Sequence, residues 1–329
     1  MFSTLASLHF PVAPFILTGI IGLFFFVTPK SVQGQSIPPQ ARLSQETATA
    51  SPILTGTTQS QPSSSVPIGN SNSAARDLGE QQILVMKEDI EPVLFSMSAG
   101  VFYTNNAGLT SQNEVDDWAL TSTLMVNWTP RIVDKLFLDI AIREDIYRYD
   151  RLGDLLDFDS FRVTAGLGYF IPNVRDLLLT ARYGLQITTF PWDWNESVFL
   201  NNTFNLGLQK TFALSKGNQF VVGLSSEIAL ETKPSMLRRN EYVFQVAHQV
   251  RWTPTIDTML TYRCAYNDYR ALEGLTAWNH MTAFRVAYRP TEWLSTGINA
   301  AYVWNDANKP GFDYRLGIFG VSVDVTIRF

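Results

Sequence analysis

Cysteine is nearly absent: Cys264 is the only one in 329 residues. A lone thiol excludes an internal disulfide and any cysteine-based metal cluster, so the fold must hold through its own packing and hydrogen bonds. Charge is sparse as well. Charged residues make up 17% of the chain, against about a quarter in an average soluble domain. The net charge of −5 is mild, and no basic face interleaved with aromatics marks a nucleic-acid surface. After residue 27 no apolar run is long enough for a membrane helix. There are three histidines, no glycine-rich phosphate loop and no Cys/His zinc spacing.

What the chain does have is apolar and aromatic side chains in short, regular stretches. Hydrophobic residues make up 46%, with 8 Trp, 12 Tyr and 22 Phe. The stretch Asp313 to Phe329 shows the pattern. Gly317, Phe319, Val321, Val323, Val325, Ile327 and Phe329 share one face, while Gly320, Ser322, Asp324, Thr326 and Arg328 share the other. Period-two alternation makes a β-strand with one apolar and one polar side. The same alternation predicts twelve strands, at 93–103, 118–128, 135–147, 160–170, 176–188, 199–212, 219–231, 241–252, 258–269, 279–289, 293–304 and 313–329. Their lengths suit tilted strands that cross a membrane.

The connections alternate. Short ones carry Trp128-Thr129-Pro130, Phe170-Ile171-Pro172, Ser215-Lys216-Gly217-Asn218, Trp252-Thr253-Pro254 and Tyr288-Arg289-Pro290. Proline cannot donate to a ladder, so it marks the turn. The others, among them 104–117, 148–159 and 189–198, are longer and polar.

Three segments precede or compose this region. Residues 1–34 read as a signal peptide: Phe15 to Val27 is an apolar run, and Val32 and Gly34 are small or short residues before a cut after Gly34. No Lys or Arg precedes the run, which leaves an uncleaved anchor as the alternative. Residues 35–91 form a tail rich in Ser, Thr, Pro and Gln, too polar to offset its chain entropy, and therefore disordered. Within it, 81–91 fits a short helix, a strand or a lumen plug. Residues 92–329 carry the alternating strands.

Signal segment, alternating strands, proline turns and a final Phe together resemble bacterial outer-membrane β-barrel proteins of the porin-like kind, over about 93–329. The resemblance implies an all-β, transmembrane, antiparallel up-and-down β-barrel of about 12 strands. It implies short periplasmic turns, longer outer loops, a periplasmic N-terminal tail and an integral place in the outer membrane. Outer-membrane lipids would surround the apolar faces. Phe329 would be the assembly signal read by the barrel-assembly machinery. Tyr103, Trp118, Trp128, Tyr147, Tyr149, Tyr169, Trp252, Tyr288, Trp293, Tyr302 and Trp304 lie towards strand ends and would form two interfacial girdles.

Parity places Arg143, Arg162, Arg182, Arg251, Arg263, Arg285, Arg289 and Arg328 on the lumen side, with Asp139, Asp145, Glu227, Glu231 and Asp324. The pore-lining candidates are Asp139, Arg143, Arg162, Arg182, Glu227, Arg263, Arg285 and Asp324. Two readings stand at this point. Guanidinium groups in a narrow bore favour anions, which makes a small channel for passive diffusion of small, anion-biased solutes. A closed network of Arg–carboxylate pairs would instead fill the lumen of a structural or adhesion barrel. A third reading comes from twelve-stranded outer-membrane phospholipases, which carry a Ser/His/Asn site on the outer wall. His248 points towards lipid, and His280 near a rim has Asp268 within reach across the ladder. Neither has serine two residues on, so an enzyme is not expected. The run Asp150 to Asp159 holds Asp150, Asp154, Asp157 and Asp159; it matches no calcium loop and reads as a solvated acidic loop, with calcium or lipopolysaccharide-bridging cations as the alternative. No cofactor or metal is expected.

Overall fold

The alternating stretches pair into one antiparallel sheet that closes on itself. The computed structural model describes residues 93–171, 174, 177–191, 193–215, 217–272 and 274–329. Its strands are β1 (Val93–Thr104), β2 (Asp117–Trp128), β3 (Arg131–Val133), β4 (Leu136–Tyr149), β5 (Phe158–Phe170) and β6 (Leu177–Phe190), then β7 (Asp193–Ser215), β8 (Asn218–Lys233), β9 (Arg239–Arg251), β10 (Ile256–Tyr269), β11 (Thr276–Tyr288), β12 (Leu294–Ala307) and β13 (Tyr314–Arg328). A single helical turn, α1 (Gly153–Leu156), lies between β4 and β5. β13 pairs with β12 and with β1, and β2 pairs with β4, so twelve strands form the ring and β3 is a short extra pairing on β4. The seam is completed by Val93 N donating to Phe329 O at 3.2 Å and Phe329 N donating to Val93 O at 2.9 Å.

Every predicted strand is present. The expected loop at 189–198 is not: only 191–192 separate β6 from β7. Register shifts at Thr188, Thr189 and Phe190 let that hairpin run on as an extended arm. Pro130 opens the turn before β3, and Pro254 and Pro290 stand between strands as expected. Pro172, the signal segment and the tail 35–91 lie outside the described residues.

Exposure shows which face is which. Along β2, Trp118, Leu120, Leu124, Val126 and Trp128 are exposed, whereas Asp117, Ala119, Thr121, Thr123, Met125 and Asn127 are buried. Along β13, Phe319, Val321, Val323 and Ile327 are exposed and Ser322 and Asp324 are buried. A soluble barrel has the opposite sign. A continuous outward apolar surface needs an apolar surrounding, as in a bilayer. Trp118 and Trp128 end one outward row about 10 residues apart, which at about 3.4 Å per residue and a tilt near 45° spans roughly 24 Å.

Following cross-strand partners once round the ring displaces the start by about 18 residues, which for twelve strands corresponds to a backbone radius on the order of 13 Å. That is wider than a barrel filled by its own side chains and narrower than a large open pore.

Two expected girdle residues turn the other way. Tyr147 and Tyr149 lie on the interior row of β4 and are buried. Glu231 also moves. A register shift between Asn202 and Thr203, opposite Ala229 and Glu231, inserts one residue into β8. One inserted residue reverses every later side chain, so Glu231 points outward beside Asn202 at 3.3 Å instead of into the lumen.

Candidate functional site: the charged lumen wall and its mouth

Arginine on an interior row can cross the bore or lie along the wall, and small neighbours decide between them. Asp139 on β4, Gly166 on β5 and Arg182 on β6 are direct cross-strand partners. A Cβ at Gly166 would meet Ala181 O first and then Arg182 Cα and Cγ, each at 2.7 Å, so the glycine admits the neighbouring backbone together with the foot of the Arg182 side chain, whose Nε donates to Asp139 Oδ2 at 2.6 Å. Asp139 is fully buried and also accepts from Asn127 Nδ2 at 3.0 Å. The same device recurs across the barrel. Arg285 on β11 passes over Gly297 on β12, whose missing Cβ would lie 3.1 Å from Nε and Nη2. Its Nη2 reaches Asp324 Oδ2 on β13 at 2.5 Å. Asp324 further accepts from Ser98 Oγ at 2.7 Å and Ser295 Oγ at 3.2 Å. Gly297 leaves a berth for the Arg285 guanidinium, and Gly166 leaves one for the foot of the Arg182 side chain. These bases brace the wall instead of spanning the bore.

The wall of β5 to β10 is different. Arg162, Glu227, Arg239 and Glu241 are half-buried there. Arg263 Nη2 binds Glu241 Oε1 at 2.6 Å, and Arg239 Nη2 stands 3.9 Å from Oε2. Arg162 Nη2 donates to Gln186 Oε1 at 2.7 Å. Arg143, directly opposite Arg162 across the ladder, is held by Asp145 at 2.6 Å. Arg289 binds Asp257 at 2.6 Å near the short-turn end. All eight pore-lining candidates therefore face the interior. Arg239, Glu241 and Asp257 join them. Their parity was legible in the sequence, but they lie near strand ends, where boundaries are least certain.

The long-loop end is partly closed by apolar packing. Phe102, Tyr147, Tyr149, Phe158, Leu316 and Ile318 form a buried cluster with Leu156, and Leu109, Leu152 and Leu155 pack against it. The acidic run 150–159 is thus not simply solvated: its leucines fold into the mouth. Buried Asp117 anchors it, accepting from Leu152 N at 2.9 Å and Arg151 N at 3.1 Å. Asp157 accepts from Tyr149 N at 2.6 Å, and burial raises its carboxyl to about 6. Asp159 points outward on β5 and pairs with Arg148 at 2.6 Å.

The histidines form no hydrolytic arrangement among the described residues. His280 faces outward, with Nδ1 2.9 Å from Tyr262 Oη and its ring stacked on Trp304 at 5.0 Å. It stands opposite Cys264, while Asp268 stands opposite Thr276 and pairs with Arg270 at 3.2 Å. The expected His280–Asp268 contact does not form because the register separates the two. His248 also faces outward, 2.8 Å from Asn218 Oδ1.

No family model matches the chain, and no curated protein matches it. Solved structures do. An outer membrane channel from Pseudomonas putida F1 is 11% identical with a TM-score of 0.50, covering 71% of this chain and 96% of that one. The NanC porin is 11% identical at 0.42, over 70% and 98%. The outer membrane channel DcaP of Acinetobacter baumannii is 10% identical at 0.41, over 71% and 97%. The fold is that of a porin-like outer-membrane β-barrel.

Proposed function

We propose that the barrel is a narrow diffusion channel for small polar solutes, restricted at the long-loop end by the 105–116 and 150–157 loops. The observation that carries this reading is the pair of glycine berths. Arg182 and Arg285 lie along the wall over Gly166 and Gly297, which keeps long side chains out of the bore. A barrel built to be filled by ion pairs has no need of such berths. The half-buried charges on β5 to β10 face the remaining space. Among the described residues, Arg251 and Arg328 on the interior rows of β9 and β13 put arginines ahead of carboxylates there, so the bias is towards anions. The test is the reversal potential of the reconstituted protein under a KCl gradient. A potential on the chloride side is expected, and one on the potassium side overturns the anion bias.

A second reading, a plugged structural barrel, draws on the apolar cluster at the mouth. It predicts no ion current, even when that cluster is broken.

A further inference from the structure

Asn205, Glu227, Glu241 and Asn267 are successive direct cross-strand partners on the interior wall of β7 to β10. Like charges placed directly opposite destabilise a sheet unless something sits between or beside them. Glu241 Oε1 is taken by Arg263, but Oε2 has no hydrogen bond, and Arg239 at 3.9 Å is beyond reach of one. Asn267 is 4% exposed, and its Oδ1 has no donor. Among the described residues, Glu227 makes no hydrogen bond or close ion pair, although the charges of Arg162, Arg239 and Arg263 all act on it. A buried acceptor left without a donor costs about 1–3 kcal/mol. Among the described residues the row therefore presents two buried acceptors without a donor, Glu241 Oε2 and Asn267 Oδ1, with the half-buried Glu227 carboxylate beside them.

We propose that this row binds the ammonium group of a small zwitterionic solute of the free amino acid class, with Arg162 taking its carboxylate. An ammonium group brings three N–H donors, matching Glu227, Glu241 Oε2 and Asn267 Oδ1. A metal dication fits worse, because three guanidinium groups already surround the site. A solute that is only anionic leaves the acceptors unsatisfied. Arg162 is the guanidinium suited to the carboxylate: it is half-buried and among the described residues its one hydrogen bond is to a neutral amide, whereas Arg263 is committed to Glu241 and Arg239 lies over the Tyr269 ring at 5.9 Å. A neutral zwitterion also leaves the net charge of the wall unchanged.

The inference rests on the channel reading for access to the row, but binding is measurable without transport. Saturation-transfer NMR on the full-length, detergent-folded protein compares serine with glycerate, which carries a hydroxyl in place of the ammonium, and with serinol, which lacks the carboxylate. Serine is expected to bind about 30-fold more tightly than either, the effect of one charge-assisted hydrogen bond. Glu227→Gln should weaken serine about tenfold and leave glycerate unchanged, whereas Arg162→Gln should weaken both. Folding of each variant is checked by its cold-SDS gel mobility. Equal binding of serine and glycerate, no binding of serine, or a folded Glu227→Gln protein that binds serine as the wild type does would each overturn the proposal. Serine binding without any KCl conductance would instead sink the channel reading alone.

Discussion

Replacing Gly297 with valine puts a branched side chain where the Arg285 guanidinium lies. The Cβ alone would stand 3.1–3.2 Å from Nε, Nη2 and Cζ, tighter than ordinary contact, and the valine methyls extend further. The Cβ asks the guanidinium to give by a few tenths of an ångström, and the methyls beyond it are expected to push it off the wall and break its 2.5 Å bond to Asp324. Stranding one member of a buried ion pair costs about 3–5 kcal/mol. That limit is not reached here, because Arg285 can swing into lumen water and Asp324 keeps the Ser98 and Ser295 donors. The loss is closer to one charged hydrogen bond, about 2 kcal/mol, or roughly 30-fold in the folding equilibrium. Gly223→Val is the control. It also faces the lumen, but the only atom near its Cβ position is Leu208 O at 3.9 Å. Urea unfolding in vesicles, followed by tryptophan fluorescence, should show the loss for Gly297→Val and none for Gly223→Val. The freed guanidinium should also move the reversal potential further towards chloride. Equal stability of the two variants, with unchanged reversal potentials, would refute the berth argument.

Breaking the mouth should open it. Leu156 is fully buried, so Leu156→Asp is expected to release the 150–157 segment and raise single-channel conductance. The pH dependence follows from Asp157. Its folded carboxyl stands at about 6 against an ordinary 3.8, so docking is strongest when it is protonated and weakens as pH rises between those values. Conductance should therefore fall as pH drops from 7 to 5, and Asp157→Asn should abolish that response. Val321 lies exposed on the outward row of β13, so Val321→Arg should cost about 2–4 kcal/mol in a bilayer, and a neutral outcome would contradict the lipid-facing assignment. Deleting Phe329 removes both backbone hydrogen bonds to Val93 at the seam, and the fraction of protein inserted into membranes should fall sharply in a heat-modifiability assay.

The strands were legible because alternation has a period of two and because both faces of each strand obey it, as β13 shows from Phe319 to Ile327. Parity also placed Asp139, Arg182, Arg285 and Asp324 inside before any pairing was known. It failed at Glu231, since a single inserted residue in β8 reverses the face and leaves no mark in composition. The girdle assignment of Tyr147 and Tyr149 rested on nearness to a strand end, which says nothing about direction; their odd parity agrees with the interior row on which they lie. The glycine berths were hidden for a different reason. Gly166 matters only because the register sets it between Asp139 and Arg182, and register is a property of three strands together. The folding-in of Leu152, Leu155 and Leu156 was masked by the aspartates around them, which drew the reading towards a solvated loop.

An aqueous path along this charged wall would carry ions across the bilayer. Single-channel recording in planar bilayers tests it most directly, on the full-length protein and on Leu156→Asp, with insertion verified for both. Discrete current steps are expected from the wild type and larger steps from the variant. A flat baseline from both, with folded protein in the membrane, would contradict it.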